Sequence, residues 1–578
     1  MSRMPPGAIC LALLLSTPLA PLRAQDPPWL ARGRNGMVAS DSPEASSIGA
    51  AVLTRGGNAF DAAVATSFAL TVARPESTGL GGGGFMLAYV AREKRCVALD
   101  FRETAPATAT PERYEQLHAG RGTGPSPSIY GGNAVGTPGQ LAGLAEINRR
   151  FGTRPLAELI EPALHLAEDG FLADEYFADA CRQTLAQFER WPELQQRHAA
   201  LLALIAPGGT PRCAGDTVRR PDLALALRLV AEQGAGALYG GPLGEAAVRA
   251  VQAAGGALRM SDLRDYRVRE REPLRFYYRQ RDCEYEFVSM PPPSSAGVCL
   301  AEFFNVLEAL CVRSDLHPVR DRQHVIIEAM KHAFADRARW LGDPDFTPIP
   351  LQHLMSDEYA GLLARRINPA TTLRPEDCGS APPPPDDGGT SHFCVADREG
   401  NIVALTETIN GLFGSLVVAE PFGIILNNEM DDFATAGGAA NLYGLVQSER
   451  NLVGPGKRPL SSMAPTIIFT GGRPLLAIGA SGGPLIISSV AQVALHVLQG
   501  EHVGEAMTAL RLHHQWQPDE VYFSAPPPGD LVDNLRQRGH AISPQRRSGA
   551  VQAIHFLPDG TMIGVSEPSK GGRPAPAR

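Results

Sequence analysis

After its first two dozen residues, this 578-residue sequence has no stretch approaching the ~18 consecutive apolar residues that a membrane-crossing helix needs. Basic residues are outnumbered, 53 Lys and Arg against 61 Asp and Glu. The net charge of −8 leaves no surplus to hold a phosphate backbone, so nucleic acid is not an expected partner. Cysteine is sparse, nine in all with no CxxC pair, which excludes a disulfide scaffold. The charged fraction of 20% beside 44% apolar residues excludes disorder and coiled coil. Glycine (60) and proline (49) are plentiful instead, about a fifth of the chain against a usual ~12%. That excess favours turns, short strands and close backbone approaches over a helical bundle. At roughly 150 residues per domain the length would allow three or four domains.

The N-terminus carries Arg3, an apolar run over residues 8–15, then Pro18 to Pro21 and Leu22-Arg23-Ala24. The run is too short to cross ~30 Å of hydrocarbon, and the small residue at its exit suits signal peptidase. Residues 1–24 read as a secretory signal peptide, and the remainder as a soluble secreted or periplasmic protein. Ile9 is too bulky for a lipoprotein cleavage box before Cys10. Eight cysteines remain, for which an oxidising compartment permits one or two bridges of unspecified pairing.

Residues 42–72 show helical periodicity broken once at Gly56-Gly57-Asn58. The glycine run 79–84 lacks the following helix and Lys-Ser/Thr pair of a phosphate loop, so it reads as a tight β turn before strands over 85–90 and 97–101. Amphipathic helices are expected near 138–170, 222–253 and 320–340. The last holds His324, Glu328 and His332 at steps of four. That face could bind a metal, but with no HExxH spacing it reads as a satisfied helix face. His513-His514 reads the same way.

One composition break stands out: Pro382 to Pro385, then Asp386-Asp387-Gly388-Gly389, residues that resist regular structure. A strand over 390–396, a turn over 397–401 and a return strand over 402–409 follow it. With the turn centred on Glu399, Val395 faces Val403, Phe393 faces Leu405, and Thr390 stands opposite Thr408 on the other face. A slip of one residue would put Phe393 and Val395 on the polar side, so this register is preferred.

A threonine hydroxyl at a strand start, beside a second hydroxyl and after Gly-Gly, has the makings of a latent nucleophile. Attack of Thr390 Oγ on the Gly389 carbonyl would give an ester by N-to-O shift, and water would cleave it. The freed α-amine, with an ordinary pKa near ~7.7–8.0, would then serve as general base. Spacing alone fits an interdomain linker as well. Acyl transfer also needs donors for an oxyanion, and Gly482 and Gly483, after an apolar strand over 474–478, are the candidates. Residues 427–432 supply carboxylates after a strand over 423–426, and residues 457–462 supply hydroxyls.

At these residues the chain resembles the γ-glutamyltransferase (γ-glutamyltranspeptidase, glutathione hydrolase) family of N-terminal nucleophile hydrolases. The resemblance covers nearly the whole mature chain, through blocks such as RGGNAFDAAVATSFAL, GLGGGGFM, LDFRETAP, SMPPPSSAGV, GTSHFCVADREGN, LNNEMDDF, KRPLSSMAPT and GASGGP. It implies an α/β (α+β) fold, a four-layer αββα sandwich built jointly by a large segment 25–389 and a small segment 390–578. It implies cleavage between Gly389 and Thr390, with Thr390 as nucleophile assisted by Thr408. Arg102, Ser461 and Ser462 would grip the substrate α-carboxylate. Asn410, Glu429 and Asp432 would hold its α-amino end, Gly482 and Gly483 would form the oxyanion hole, and Tyr443 would anchor a lid over 434–442. The partners implied are a γ-glutamyl donor such as glutathione and an amino-acid, peptide or water acceptor. No metal or organic cofactor is implied.

The sequence departs from the family pattern at Ser391, which keeps a hydroxyl where a second threonine is common, and at Pro484 after the glycine pair. Glu429, where some members have Gln, would make the amino-group pocket more negative. Leu416 replaces a commoner small residue. The rival functions are a related acylase for glutaryl β-lactams, a poly-γ-glutamate processor, and a cleaved secreted binding protein without turnover. Glutaryl lacks the α-amine that Glu429 and Asp432 would read.

Overall fold

The hairpin forms in the expected register, Thr390 opposite Thr408, Phe393 opposite Leu405 and Val395 opposite Val403. It lies at the centre of a computed structural model that describes residues 26–578 apart from 312, 314, 317–320, 379–388, 435–440 and 446. The expected signal segment, the four-proline stretch and most of the expected lid lie outside the described residues. Around the hairpin an antiparallel sheet runs in the order Ala575–Pro576, Gly36–Ser40, Thr390–Asp397, Ile402–Thr408, Gly83–Val90, Arg95–Phe101, Arg269–Arg271. A second runs Leu30–Gly33, Met562–Ser566, Ala550–Phe556, Arg473–Ser481, Thr466–Thr470, Cys283–Ser289, Leu274–Gln280. Residues before and after position 390 contribute strands to both sheets. The separate domains that length alone would allow are thus replaced by one interleaved core.

The period-two pattern of the hairpin sorts its side chains between two environments. Phe393, Val395, Val403 and Leu405 pack with Ala65, Phe68 and Val72 of the helix Ala59–Ala73. Cys394, Ala396 and Ala404 pack with Ile478, Ala480 and Ala553 of the second sheet. Both faces are therefore buried, whereas the sequence suggested that the second face was polar. Its His392 and Thr406 bond each other, Nδ1 to Oγ1 at 2.8 Å, so polar residues sit in the seam between sheets rather than in water. The seam is narrow. A Cβ on Gly479 would lie 2.3 Å from the His392 ring, so a glycine is required there. A one-residue slip would drive Phe393 and Val395 into this gap and forfeit ~1.5–3 kcal/mol for each buried side chain.

Helices complete the outer layers. Ala59–Ala73 is capped by Asn58, whose side chain accepts from Phe60 and Asp61 N–H groups while Asp61 caps in return. It is buried on every side, in keeping with its alternation of small and apolar residues. Ala296–Leu310, Arg322–Trp340 and Leu485–Leu498 join the core of the second sheet. The glycine run contributes close contact more than a turn: Gly83–Val90 is already strand, and a Cβ on Gly82 would sit 2.1 Å from the Thr408 carbonyl oxygen. All eight described cysteines are unpaired. No helix among the described residues is long and apolar enough to cross a membrane.

One expectation shifts in detail. The metal-like grouping is His324, Glu328 and His540, not His332. His324 bonds His540 and the Asn368 carbonyl, each at 2.8 Å, and Glu328 accepts from Thr372 Oγ1 and Leu373 N with Lys331 Nζ 3.7 Å away. These side chains form a hydrogen-bonded cross-link between the Arg322–Trp340 helix and two later loops. The segment after the hairpin is strained, with Asn410 (φ 72°), Phe413 (φ 54°) and Leu416 (φ 66°) in the left-handed region. Each such residue costs about 1–3 kcal/mol and persists only where surroundings enforce it.

Candidate active site

The strain at Asn410 turns its backbone N–H onto Thr408 Oγ1, at 2.8 Å. Thr408 Oγ1 in turn donates to the Gly389 carbonyl oxygen at 3.0 Å and lies 3.1 Å from Thr390 Oγ1. A hydroxyl has one proton to give and two lone pairs. With its proton on Gly389 O, Thr408 must accept from both Asn410 and Thr390. The resulting chain, Thr390 O–H to Thr408 O–H to the Gly389 carbonyl, is a continuous hydrogen-bonded path from one hydroxyl to the carbonyl of the preceding residue.

Behind this chain lies a residue that sequence reading missed. Lys570 Nζ donates to the Thr390 carbonyl oxygen and to Ser481 Oγ at 3.2 Å, pairs with Asp41 at 2.7 Å, and lies 4.9 Å from the centre of the Tyr176 ring. Burial disfavours its charge, but Asp41 holds the ammonium pKa above its ordinary value. Ser481 immediately precedes Gly482, so one cation ties the nucleophile strand to the glycine pair.

Gly482 (φ 117°) and Gly483 (φ 54°) adopt backbone angles that favour glycine. They connect the strand Arg473–Ser481 to the helix Leu485–Leu498, whose partial positive end therefore points at this turn. Pro484 occupies the helix start, where a missing N–H is no loss. A Cβ on Gly483 would lie 2.5 Å from Tyr443, so the tyrosine ring packs on the glycine. Tyr443 OH donates to the Asn410 carbonyl at 2.8 Å, and its own carbonyl accepts from Gln515 at 3.1 Å. His513 holds Gln515 at 2.9 Å, which gives the HHQW segment a supporting place behind the site.

Of the remaining expected residues, Glu429 and Asp432 contact Arg102, a guanidinium only 1% exposed. Arg102 pairs with Glu429 at 2.6 Å and with Asp432, and Glu103 lies 3.7 Å away. Burial pushes Glu103 up to about 8 despite Arg102, and raises Glu429 and Asp432 as well. Three carboxyl groups around one cation cannot all ionise cheaply. Burial thus opposes the extra negative charge expected from Glu at position 429, and Arg102 offsets part of it. Asn410 Nδ2 donates to the Asn428 carbonyl at 3.0 Å. Ser461 Oγ is occupied by the Met463 N–H at 3.2 Å, while Ser462 Oγ accepts from Arg337 at 3.4 Å. Arg337 is a second buried guanidinium, also bonded to Ser295 at 3.0 Å, with Nη1 lacking any hydrogen-bond partner. Burial lowers its pKa to about 10. It lies on the helix Arg322–Trp340, where periodicity marks it as an ordinary helix position.

Two antiparallel sheets face to face, helices outside them, and a threonine opening a central strand at their seam define an N-terminal nucleophile hydrolase. The gamma-glutamyltranspeptidase family model matches residues 45–577, and the chain belongs to that family. It is 38% identical over 93% of its length to the glutathione hydrolase proenzyme of Escherichia coli, covering 91% of that protein. It is 36% identical over 93% of its length to the glutathione hydrolase proenzyme of Bacillus subtilis (strain 168), covering 91% of that protein. Among solved structures, the cephalosporin acylase of Bacillus halodurans superposes with a TM-score of 0.82 at 27% identity, over 98% of this chain and 99% of that one.

Proposed function

We propose that the chain cleaves itself between Gly389 and Thr390 and then moves the γ-glutamyl group of glutathione, or of another γ-glutamyl amide, to water or to an amino acid or peptide. The observation that carries this reading is the hydroxyl chain from Thr390 through Thr408 to the Gly389 carbonyl. As Thr390 Oγ bonds to the Gly389 carbon, its proton passes to Thr408 while Thr408 delivers its own to the carbonyl oxygen. Collapse breaks the C–N bond and leaves an ester, which water hydrolyses to a Gly389 carboxylate and a free Thr390 hydroxyl and amine.

In the mature enzyme the Thr390 amine accepts the hydroxyl proton as Oγ attacks the γ-carbonyl of the donor, forming a γ-glutamyl ester and returning the proton to the leaving amine. Lys570, on the carbonyl of the same residue, disfavours a second positive charge and helps keep that amine neutral. Gly482 and Gly483 face the developing oxyanion at a helix start. Arg102, Ser461 and Ser462 take the donor α-carboxylate, with Arg337 holding Ser462 in place. Asp432, Glu429 and Asn410 take the α-ammonium. The acidic surroundings of Arg102 suit a zwitterion better than a glutaryl chain, which brings a carboxylate and no amine. Segments 25–389 and 390–578 are proposed as the two subunits of a secreted or periplasmic heterodimer.

Purified protein should run as two fragments and release nitroaniline from γ-glutamyl p-nitroanilide. Two fragments with no release would overturn the functional reading. Because burial raises the Glu429 carboxyl above its ordinary range, beside two other carboxyl groups that share one cation, Glu429→Gln should keep kcat/KM for this donor within about threefold at pH 7. A loss beyond about 30-fold would mean that a charge at 429 is required.

A further inference from the structure

Two cavities on one flank of the site, of about 380 Å³ and 700 Å³, share Gln183, Gln187 and Leu412 in their walls and form one groove. Its floor is the helix Glu175–Arg190. The smaller cavity is lined by Gly411, Asn428 and Leu442, the chain neighbours of Asn410, Glu429 and Tyr443. The larger begins at Tyr176, whose ring carries Lys570, and at Ser548. Ser548 precedes Gly549, whose Cα lies 3.3 Å from a Cβ position on Gly482. The groove is thus lined by neighbours of the site residues, through Lys570 on the Thr390 side and Gly549 on the Gly482 side, the flank on which the amine side of a scissile amide would leave.

Its charge is opposite to that of the protein. The chain carries −8 overall. Yet, among the described residues, the groove walls hold Arg121, Arg190, Arg546 and Arg547 against one carboxylate, Asp179. Asp179 is already engaged by Arg182 at 3.2 Å and Gln183 at 2.8 Å. Arg121, Arg190 and Arg546 are exposed and have no carboxylate partner among the described residues. Arg190 is laid over Trp191 at 4.5 Å, which fixes its position without consuming its N–H donors. Arginines spread along a cleft beside a reaction centre match carboxylates spaced along a chain.

We propose that this groove is the leaving-group and acceptor subsite and that it selects acidic peptides, those carrying carboxylates beyond the scissile γ-amide. This rests on the γ-glutamyl transfer reading and adds to it the class of amine that the enzyme prefers to release or receive. Carboxylates outside the groove would meet a net negative surface, while those inside meet cations, so the preference is electrostatic and weakens with salt.

The test compares kcat/KM for γ-glutamyl-glutamate, an acidic leaving group, with that for γ-glutamyl p-nitroanilide, a neutral one. In the double variant Arg190→Glu/Arg546→Glu the acidic-to-neutral ratio should fall by about tenfold or more. In the unaltered enzyme the same ratio should fall as ionic strength rises from about 0.02 to 0.3 M. This second measurement needs no variant to fold. A ratio unchanged by both the substitutions and the salt would overturn the groove assignment while leaving γ-glutamyl transfer intact. Absence of turnover on both donors in the unaltered enzyme would overturn the functional reading and this inference together.

Discussion

Thr390→Ala is expected to remain a single uncut chain on a denaturing gel and to lose γ-glutamyl transfer by about 10⁴-fold or more. The expectation follows from hydroxyl bookkeeping at the junction. Thr408 gives its only proton to the Gly389 carbonyl and receives one from Thr390. Removing the Thr390 hydroxyl leaves that carbonyl polarised with nothing to attack it, and no ester can form. Thr390→Ser restores the oxygen but not the methyl group that fixes its rotamer, so slower cleavage into the same two fragments should appear. Two fragments from the alanine variant would mean that Thr390 is not the cleaving group.

Arg102→Met should lower kcat/KM for a γ-glutamyl anilide by about 10²–10³-fold, the scale for truncating one member of a buried charge pair. Its effect on stability should depend on pH. Glu103, Glu429 and Asp432 already titrate above their ordinary range because of burial, and Arg102 is the cation that opposes the rise. Without it their folded pKa values climb further. A carboxyl whose folded pKa lies above its unfolded value stabilises the fold fully below the unfolded value, ~4. That contribution is lost as pH rises through the folded value, which for Glu103 is about 8 even with Arg102 present. Parent and variant lose this contribution in parallel up to the parent's folded value, so the Tm deficit of Arg102→Met should be small at pH 5 and larger at pH 9, opening as pH rises through about 8. Equal deficits at both pH values would show that the carboxyl groups do not depend on this arginine.

The parts of the site legible in the sequence are those with a local signal. Period-two alternation fixes the hairpin, and the hairpin fixes the threonine pair. The paired glycines after an apolar strand identify a tight turn. Lys570 and Arg337 had no such signal. Lys570 contacts a residue 180 positions away, and Arg337 looks like one more basic residue near a helix end. The raised titration range of Glu429 was also hidden, because it depends on burial beside Glu103 and Arg102 in the same pocket. The fold class followed from the family resemblance rather than from alternation. Alternation alone made one hairpin face polar, since it could not anticipate a second sheet packed close enough to need glycine at 479.

The position of Lys570 has a temporal consequence. A nascent chain that has emerged only through the hairpin already owns both threonines, yet the carbonyl of Thr390 is without its ammonium until the far end of the polypeptide has been made and has threaded to the sheet edge. The contact that ties the Thr390 strand to the glycine pair thus forms only when the whole polypeptide has been made and folded.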